Sequence, residues 1–245
     1  MRRMANKSKW VMPKQHGAWA MLIIPFWLGA YAGGLSWIHA PLFVAWLALY
    51  LATYPLLMAV KTKRKEPYVP AAARYGAIAA AALAVSLWQQ PALFYFGLAM
   101  VPFFLVNTYY SKKKNDRAFW NDVAAIAAFC IGGLAAFYAG RGALTIEAFE
   151  LALFSFLFFI GSTFYVKTMI REKKNERYKW LSWGYHALLI VGLIAIGEPF
   201  AVLAYAPSVI RAVYLYGKSL PIMKLGILEI ANAAYFFIAM IVLYS

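Results

Sequence analysis

The run AFELALFSFLFFIGSTFYVK, residues 148–167, is followed three positions later by REKKNERYKW, residues 171–180. The first stretch is apolar for the length that a bilayer core demands, about 20 residues. The second gathers Arg171, Lys173, Lys174, Arg177 and Lys179. An apolar run ending on a basic loop is the pattern of a membrane helix emerging on its cytoplasmic side. The same pattern recurs from one end of the chain to the other. Nine runs are legible: Gly17–Trp37, Pro41–Val60, Tyr75–Trp88, Leu93–Tyr110, Phe119–Gly140, Ala148–Lys167, Leu181–Gly197, Pro199–Tyr216 and Leu225–Tyr244. The third and seventh are the short ones.

Composition supports this reading. Charged residues make up 13% of the chain and hydrophobic ones 64%, with mean hydropathy +0.64. Soluble domains carry about 25% charged residues, so this chain lacks the polar surface to face water all round. All of the 24 basic residues except Arg141 fall in the N-terminal stretch, in alternate loops or at the helix ends beside them. The positive-inside rule puts that side in the cytoplasm. The expected fold is therefore an all-α integral membrane bundle of nine transmembrane helices, N-terminus cytoplasmic, in a bacterial plasma membrane. Residues 1–16 read as a basic cytoplasmic tail and 17–245 as a single polytopic transmembrane domain. The first apolar run is too long for a signal peptide and lacks a small-residue cleavage site. The formal charge of +15 is accounted for by topology and by attraction to anionic lipid, so no nucleic-acid partner is expected. One cysteine, Cys130 in an apolar run, excludes a disulfide framework.

Helices three (AAARYGAIAAAALAV) and five (DVAAIAAFCIGGLAAF) are rich in Ala and Gly. Small residues let helix backbones approach closely in lipid, so both are expected inside the bundle.

The candidate site is a polar layer just inside the cytoplasmic ends of the helices: Asn107, Asn121, Asp122, Lys167, His186, Arg211, Glu229 and Asn232, with His16 at the entry to helix one. Ionisable groups at such depth are costly and face a partner or a wet cavity. Helices eight and nine are joined by a short loop, so Arg211 and Glu229 fall at matching depth and form a candidate structural pair. Asn107 and Asp122 match across the hairpin of helices four and five. The bland account is a set of clamps between helices. The functional one is a polar cavity above an apolar chamber, with Asn107, Asp122, Lys167, Arg171 and His16 at its rim and Lys63, Arg64 and Lys65 meeting a phosphate from the neighbouring loop. Glu172 and Glu176, four residues apart, would share one face if the segment is helical and could together hold Mg²⁺ against a substrate phosphate. Otherwise they are charges on a solvated basic extension.

The opening MPKQHGAWAMLIIPFWLG, residues 12–29, with the later KTKRKEPYVPAAARYG, resembles the YwiC-like membrane proteins over nearly the whole chain. That likeness implies a membrane protein, with no particular reaction attached. More distantly the layout resembles the UbiA superfamily of intramembrane prenyltransferases, which also have nine helices. Their two cytoplasmic loops carry NDxxDxxxD and DxxxD motifs that bind Mg²⁺ and a prenyl diphosphate. Glu172 and Glu176 stand at the second motif's place with the same spacing. The first motif is missing, since KTKRKEPYVP offers only Glu66. The expected function is thus binding of an isoprenoid or other phosphorylated lipid in a UbiA-like bundle, a degenerate prenyltransferase being the catalytic version. The alternatives are a small-molecule transporter and a non-catalytic membrane subunit or assembly factor.

Overall fold

The computed structural model describes residues 11–13, 16–63 and 65–245, His16 by its backbone alone. Nine helices account for these residues: α1 (His16–Gly33), α2 (His39–Thr62), α3 (Tyr68–Gln89), α4 (Leu93–Lys112), α5 (Phe119–Arg141), α6 (Ile146–Ile170), α7 (Glu176–Ala195), α8 (Ala201–Tyr214) and α9 (Ile222–Leu243). Helix is what such a sequence must form in lipid, because each backbone N–H and C=O is then satisfied within its own segment. Six of them, α2 to α6 and α9, are long and apolar enough to cross a membrane. The third and seventh runs prove longer than their apolar cores, at 22 and 20 residues. A hydropathy boundary stops at a charge such as Arg74, whereas the backbone continues past it. The short helix is instead α8, with 14 residues. It stops where Gly217, at φ +78°, turns the chain.

Contacts between helices fix their directions. Gly29 lies against Gly133, and Gly33 against Phe137, so α1 and α5 run parallel. Tyr205 reaches Phe154 and Arg211 reaches Ser162, so α6 and α8 are parallel too. Asp122 near the start of α5 pairs with Lys167 near the end of α6, an antiparallel match. Starts of odd-numbered helices and ends of even-numbered ones therefore share one end of the bundle, which carries nearly all the basic side chains.

The core is centred on α1, α5 and α6. At four glycines on the first two, an added Cβ would strike the other helix's backbone. It would lie 2.0 Å from Gly133 O at Gly29, 2.3 Å from Phe137 O at Gly33, 2.6 Å from Pro25 O at Gly133 and 2.6 Å from Gly33 O at Gly140. Around this seam lies an aromatic core in which Phe158 stacks on Phe236 with centroids 4.1 Å apart. Side-chain donors tie helices to backbone carbonyls of their neighbours: Trp46 to Leu22 (3.1 Å), Tyr185 to Leu157 (2.7 Å), Trp183 to Ala212 (3.0 Å). Interhelical hydrogen bonds of this kind contribute about 0.6 kcal/mol each on average in membranes. Helix α5 is thus interior, as its composition suggests. Helix α3 is not: among the described residues it packs on α2 and α4 alone, and no described atom lies near a Cβ built on Gly76. Its alanines permit close approach on every face, but the fold supplies neighbours on only part of it.

Candidate functional site

Among the described residues, a cavity of about 300 Å³ opens at the basic end between α1, α5, α6 and α9. Its walls come from both halves of the chain, α1 and α5 on one side and α6 and α9 on the other. At the mouth stand Arg117, Lys167 and Arg171, three cations against the one carboxylate of Asp122. Local helix electrostatics favour this placement. Asp122 sits in the first turn of α5, near its partial positive charge, and Lys167 in the last turn of α6, near the negative end. Lys167 Nζ reaches Asp122 Oδ2 at 2.8 Å and donates to the Arg117 carbonyl at 2.6 Å, so one lysine bridges the two helices.

Deeper along α6 comes a second polar layer. Ser162 and Thr163 line the cavity, and Glu229 enters it from α9. Ser162 is five residues before Lys167, which at 1.5 Å per residue sets the layers about 7.5 Å apart. Glu229 is held by an ion pair with Arg211 of α8, which also donates from Nη2 to Ser162 Oγ at 2.9 Å. The Arg211 guanidinium lies over the Tyr165 ring, 4.5 Å from its centroid. Arg211 is 7% exposed and stands behind the wall, outside the lining. Asn232, one turn beyond Glu229, hydrogen-bonds Ser208 and so braces α9 on α8. Below this layer the lining is apolar: Met21, Phe129 and Phe159.

Of the residues singled out in the sequence, Asn121, Asp122, Lys167, Arg171 and Glu229 line this cavity. Asn107 does not pair with Asp122. Its amide donates to Asn121 Oδ1 (2.9 Å) and to the Asn121 carbonyl (3.0 Å), while Asp122, one position on, turns away to Lys167. Adjacent helical residues face about 100° apart, so matched depth alone could not choose between them. Lys63 and Lys65 stand outside the lining. Arg64 and the side chain of His16 lie outside the described residues. His186 is buried on α7 and donates from Nδ1 to the Ser182 carbonyl, the only role that atom can take against an acceptor.

Glu172 and Glu176 do not share a helical face. Helix α6 ends at Ile170 and α7 begins at Glu176, with Glu172 in the turn between them. Asn175 caps α7 with its side-chain oxygen and donates its amide to Glu172 Oε2 at 2.8 Å, which uses that carboxylate to shape the turn. The shared helical face on which an Mg²⁺ centre at this pair was expected is therefore not formed. Ser162, Thr163 and Arg117 were missed as lining. The available signal was the Gly-Ser-Thr break in the aromatic run of helix six.

The class is that of a protein whose described residues form a helical bundle, six of its helices long and apolar enough to cross a membrane, with a cation-rimmed cavity at one end. The chain belongs to the YwiC-like family: the model described as YwiC-like protein matches residues 12–137. It is 46% identical over 232 residues to uncharacterized protein YwiC of Bacillus subtilis, covering 95% of this chain and 97% of that one. It is also 38% identical over 234 residues to an uncharacterized protein of Haemophilus influenzae, covering 96% and 98%. No solved structure matches.

Proposed function

We propose that this protein is an integral protein of the bacterial cytoplasmic membrane that binds a phosphorylated lipid in the cavity between α1, α5, α6 and α9. The observation carrying this reading is the order of its lining: Arg117, Lys167 and Arg171 at the mouth and Met21, Phe129 and Phe159 at the floor. An anionic head at the basic end with a hydrocarbon chain below it satisfies both. The volume, about 300 Å³, is at the small end of ligand sites, which suits a single chain, isoprenoid phosphates included. The distant UbiA resemblance supports the same placement of head and tail, with the basic end in the cytoplasm.

The test is titration of the purified chain in detergent with dodecyl phosphate and farnesyl diphosphate, alongside mass spectrometry of copurifying lipid. Neutralising Arg117 and Arg171 together should weaken binding by at least about tenfold, since charge-assisted hydrogen bonds contribute roughly 1.5–3 kcal/mol each. Reversing Lys63 and Lys65, which stand outside the cavity, should leave affinity unchanged. Absence of binding by either amphiphile would overturn the reading. Repeating the titration with Mg²⁺ and with chelator tests the ion implied by the UbiA resemblance. The separate placement of Glu172 and Glu176 predicts equal affinity in both.

A further inference from the structure

Resting on that reading, we infer that the ligand carries a free hydroxyl between its phosphate and its hydrocarbon chain, as a monoacylglycerol phosphate does. A plain alkyl or prenyl phosphate has no use for the second polar layer. Glu229 presents a carboxylate to the cavity, held on its far side by Arg211. Ser162 accepts from Arg211 Nη2, which leaves its own hydroxyl proton to donate, and among the described residues that proton has no acceptor. The Thr163 hydroxyl, beside it in the lining, likewise has no partner among the described residues.

The layer therefore offers one acceptor and two donors. A ligand hydroxyl both donates and accepts, so it would give its proton to Glu229 and take one from Ser162 or Thr163. A phosphate oxygen only accepts and would meet the Glu229 carboxylate as a like charge, so the second unit of a diphosphate is poorly matched here. An alkyl segment would desolvate the open face of the Glu229 carboxylate and leave the Ser162 and Thr163 hydroxyl protons without an acceptor, at a cost of about 1–3 kcal/mol per group. The layers lie about 7.5 Å apart along α6, and the apolar floor begins one turn further in, at Phe159. Phosphate, then hydroxyl-bearing segment, then hydrocarbon is the order of a glycerol phosphate ester with one chain. The same polar chemistry is present in free glycerol 3-phosphate. The Met21, Phe129 and Phe159 floor assigns the lipid form.

The experiment compares four probes on the purified full-length protein in detergent: 1-acylglycerol 3-phosphate, an alkyl phosphate of equal chain length, farnesyl diphosphate and glycerol 3-phosphate. The acylglycerol phosphate should bind at least about tenfold more tightly than the alkyl phosphate, the joint worth of a hydrogen bond given to Glu229 and one taken from Ser162 or Thr163. Ser162→Ala with Thr163→Val should lower that preference about threefold, the share owed to Glu229 remaining, while alkyl phosphate affinity is retained. Those two variants leave the Arg211–Glu229 ion pair in place, so they read the layer without removing a buried charge. Glycerol 3-phosphate should bind at least about a hundredfold more weakly than its acyl ester, since each buried CH₂ contributes about 0.8 kcal/mol. Equal affinity for acylglycerol and alkyl phosphates would overturn the hydroxyl assignment yet leave the phosphorylated-lipid reading standing. A preference for farnesyl diphosphate, or one unmoved by the double variant, would overturn it in the same way. Glycerol 3-phosphate binding as tightly as its ester would overturn the assignment of a chain. Failure of every amphiphile to bind would remove the inference together with the reading beneath it.

Discussion

Arg211 shows what one buried charge demands of its surroundings. At 7% exposure it cannot rely on water, so it is paired with Glu229, hydrogen-bonded to Ser162 and stacked on Tyr165. Removing one partner of such a pair leaves the other charge uncompensated, at a cost of about 3–5 kcal/mol. We expect Arg211→Ala and Glu229→Ala each to lower unfolding stability by this order. The double variant should cost clearly less than the two single losses added, because neither charge is then stranded. A double-mutant cycle in detergent measures the coupling, and plain additivity would dissolve the pair. The two charges were legible because a lone Arg and a lone Glu in apolar helices stand out at matching depth. Ser162 and Tyr165 were not, because nothing in a hydroxyl's position along a helix says whether it caps water, a backbone carbonyl or a cation. The same limit misassigned Asn107: a one-residue difference along α5 separates Asn121 from Asp122, and depth does not report azimuth.

Between helices, the glycine seam shows how far composition reaches. Helices α3 and α5 are similarly rich in small residues, but α5 sets its glycines against the α1 backbone, whereas α3 lays its alanines along α2 and leaves Gly76 facing open space. Small residues permit contact; the partner is chosen by the three-dimensional arrangement, which local composition does not contain. The consequence is measurable. Gly133→Ala places a Cβ 2.6 Å from the Pro25 carbonyl, which is backbone and has no rotamer to yield. Overpacking of this kind costs about 1–3 kcal/mol, so the variant should unfold at lower temperature and denature at lower SDS fraction. Gly76→Ala, where nothing lies near the new methyl, should be neutral or stabilising by up to about 1 kcal/mol, the helix-propensity difference. If both variants melt alike, close packing of α1 on α5 is not what holds the core. The turn between α6 and α7 marks a second limit. The spacing of Glu172 and Glu176 equals a helical repeat, but Asn175 caps a new helix between them, and a helix face ends where its helix does.

At the scale of the whole molecule, the alternation of apolar runs with basic loops was the most legible feature, because it is set by solvent and charge and not by packing. Parallel and antiparallel contacts put the basic groups at one end, while Arg141 lies at the other, 3.4 Å from Glu147. If every helix crosses, an odd number leaves the two chain ends on opposite sides, and the positive-inside rule makes the basic side cytoplasmic. The weak point is α8, whose 14 residues rise about 21 Å at 1.5 Å each, short of a bilayer core of about 30 Å. Even so, α9 ends opposite the basic groups, where Tyr244 donates to Glu150 near the start of α6, so a C-terminus on the basic side would require a different fold. Two measurements test this arrangement. A reporter fused after Ser245 should read as extracytoplasmic. A membrane-impermeant thiol reagent on intact cells should label Leu144→Cys, between α5 and α6, and leave Lys114→Cys, between α4 and α5, unlabelled. The native Cys130 is 6% exposed in the core and should give little background. A cytoplasmic signal at Ser245 with the loops labelled as stated would contradict the direction of α9. Labelling at position 114 instead would invert the whole bundle and place the cation-rimmed cavity outside the cell.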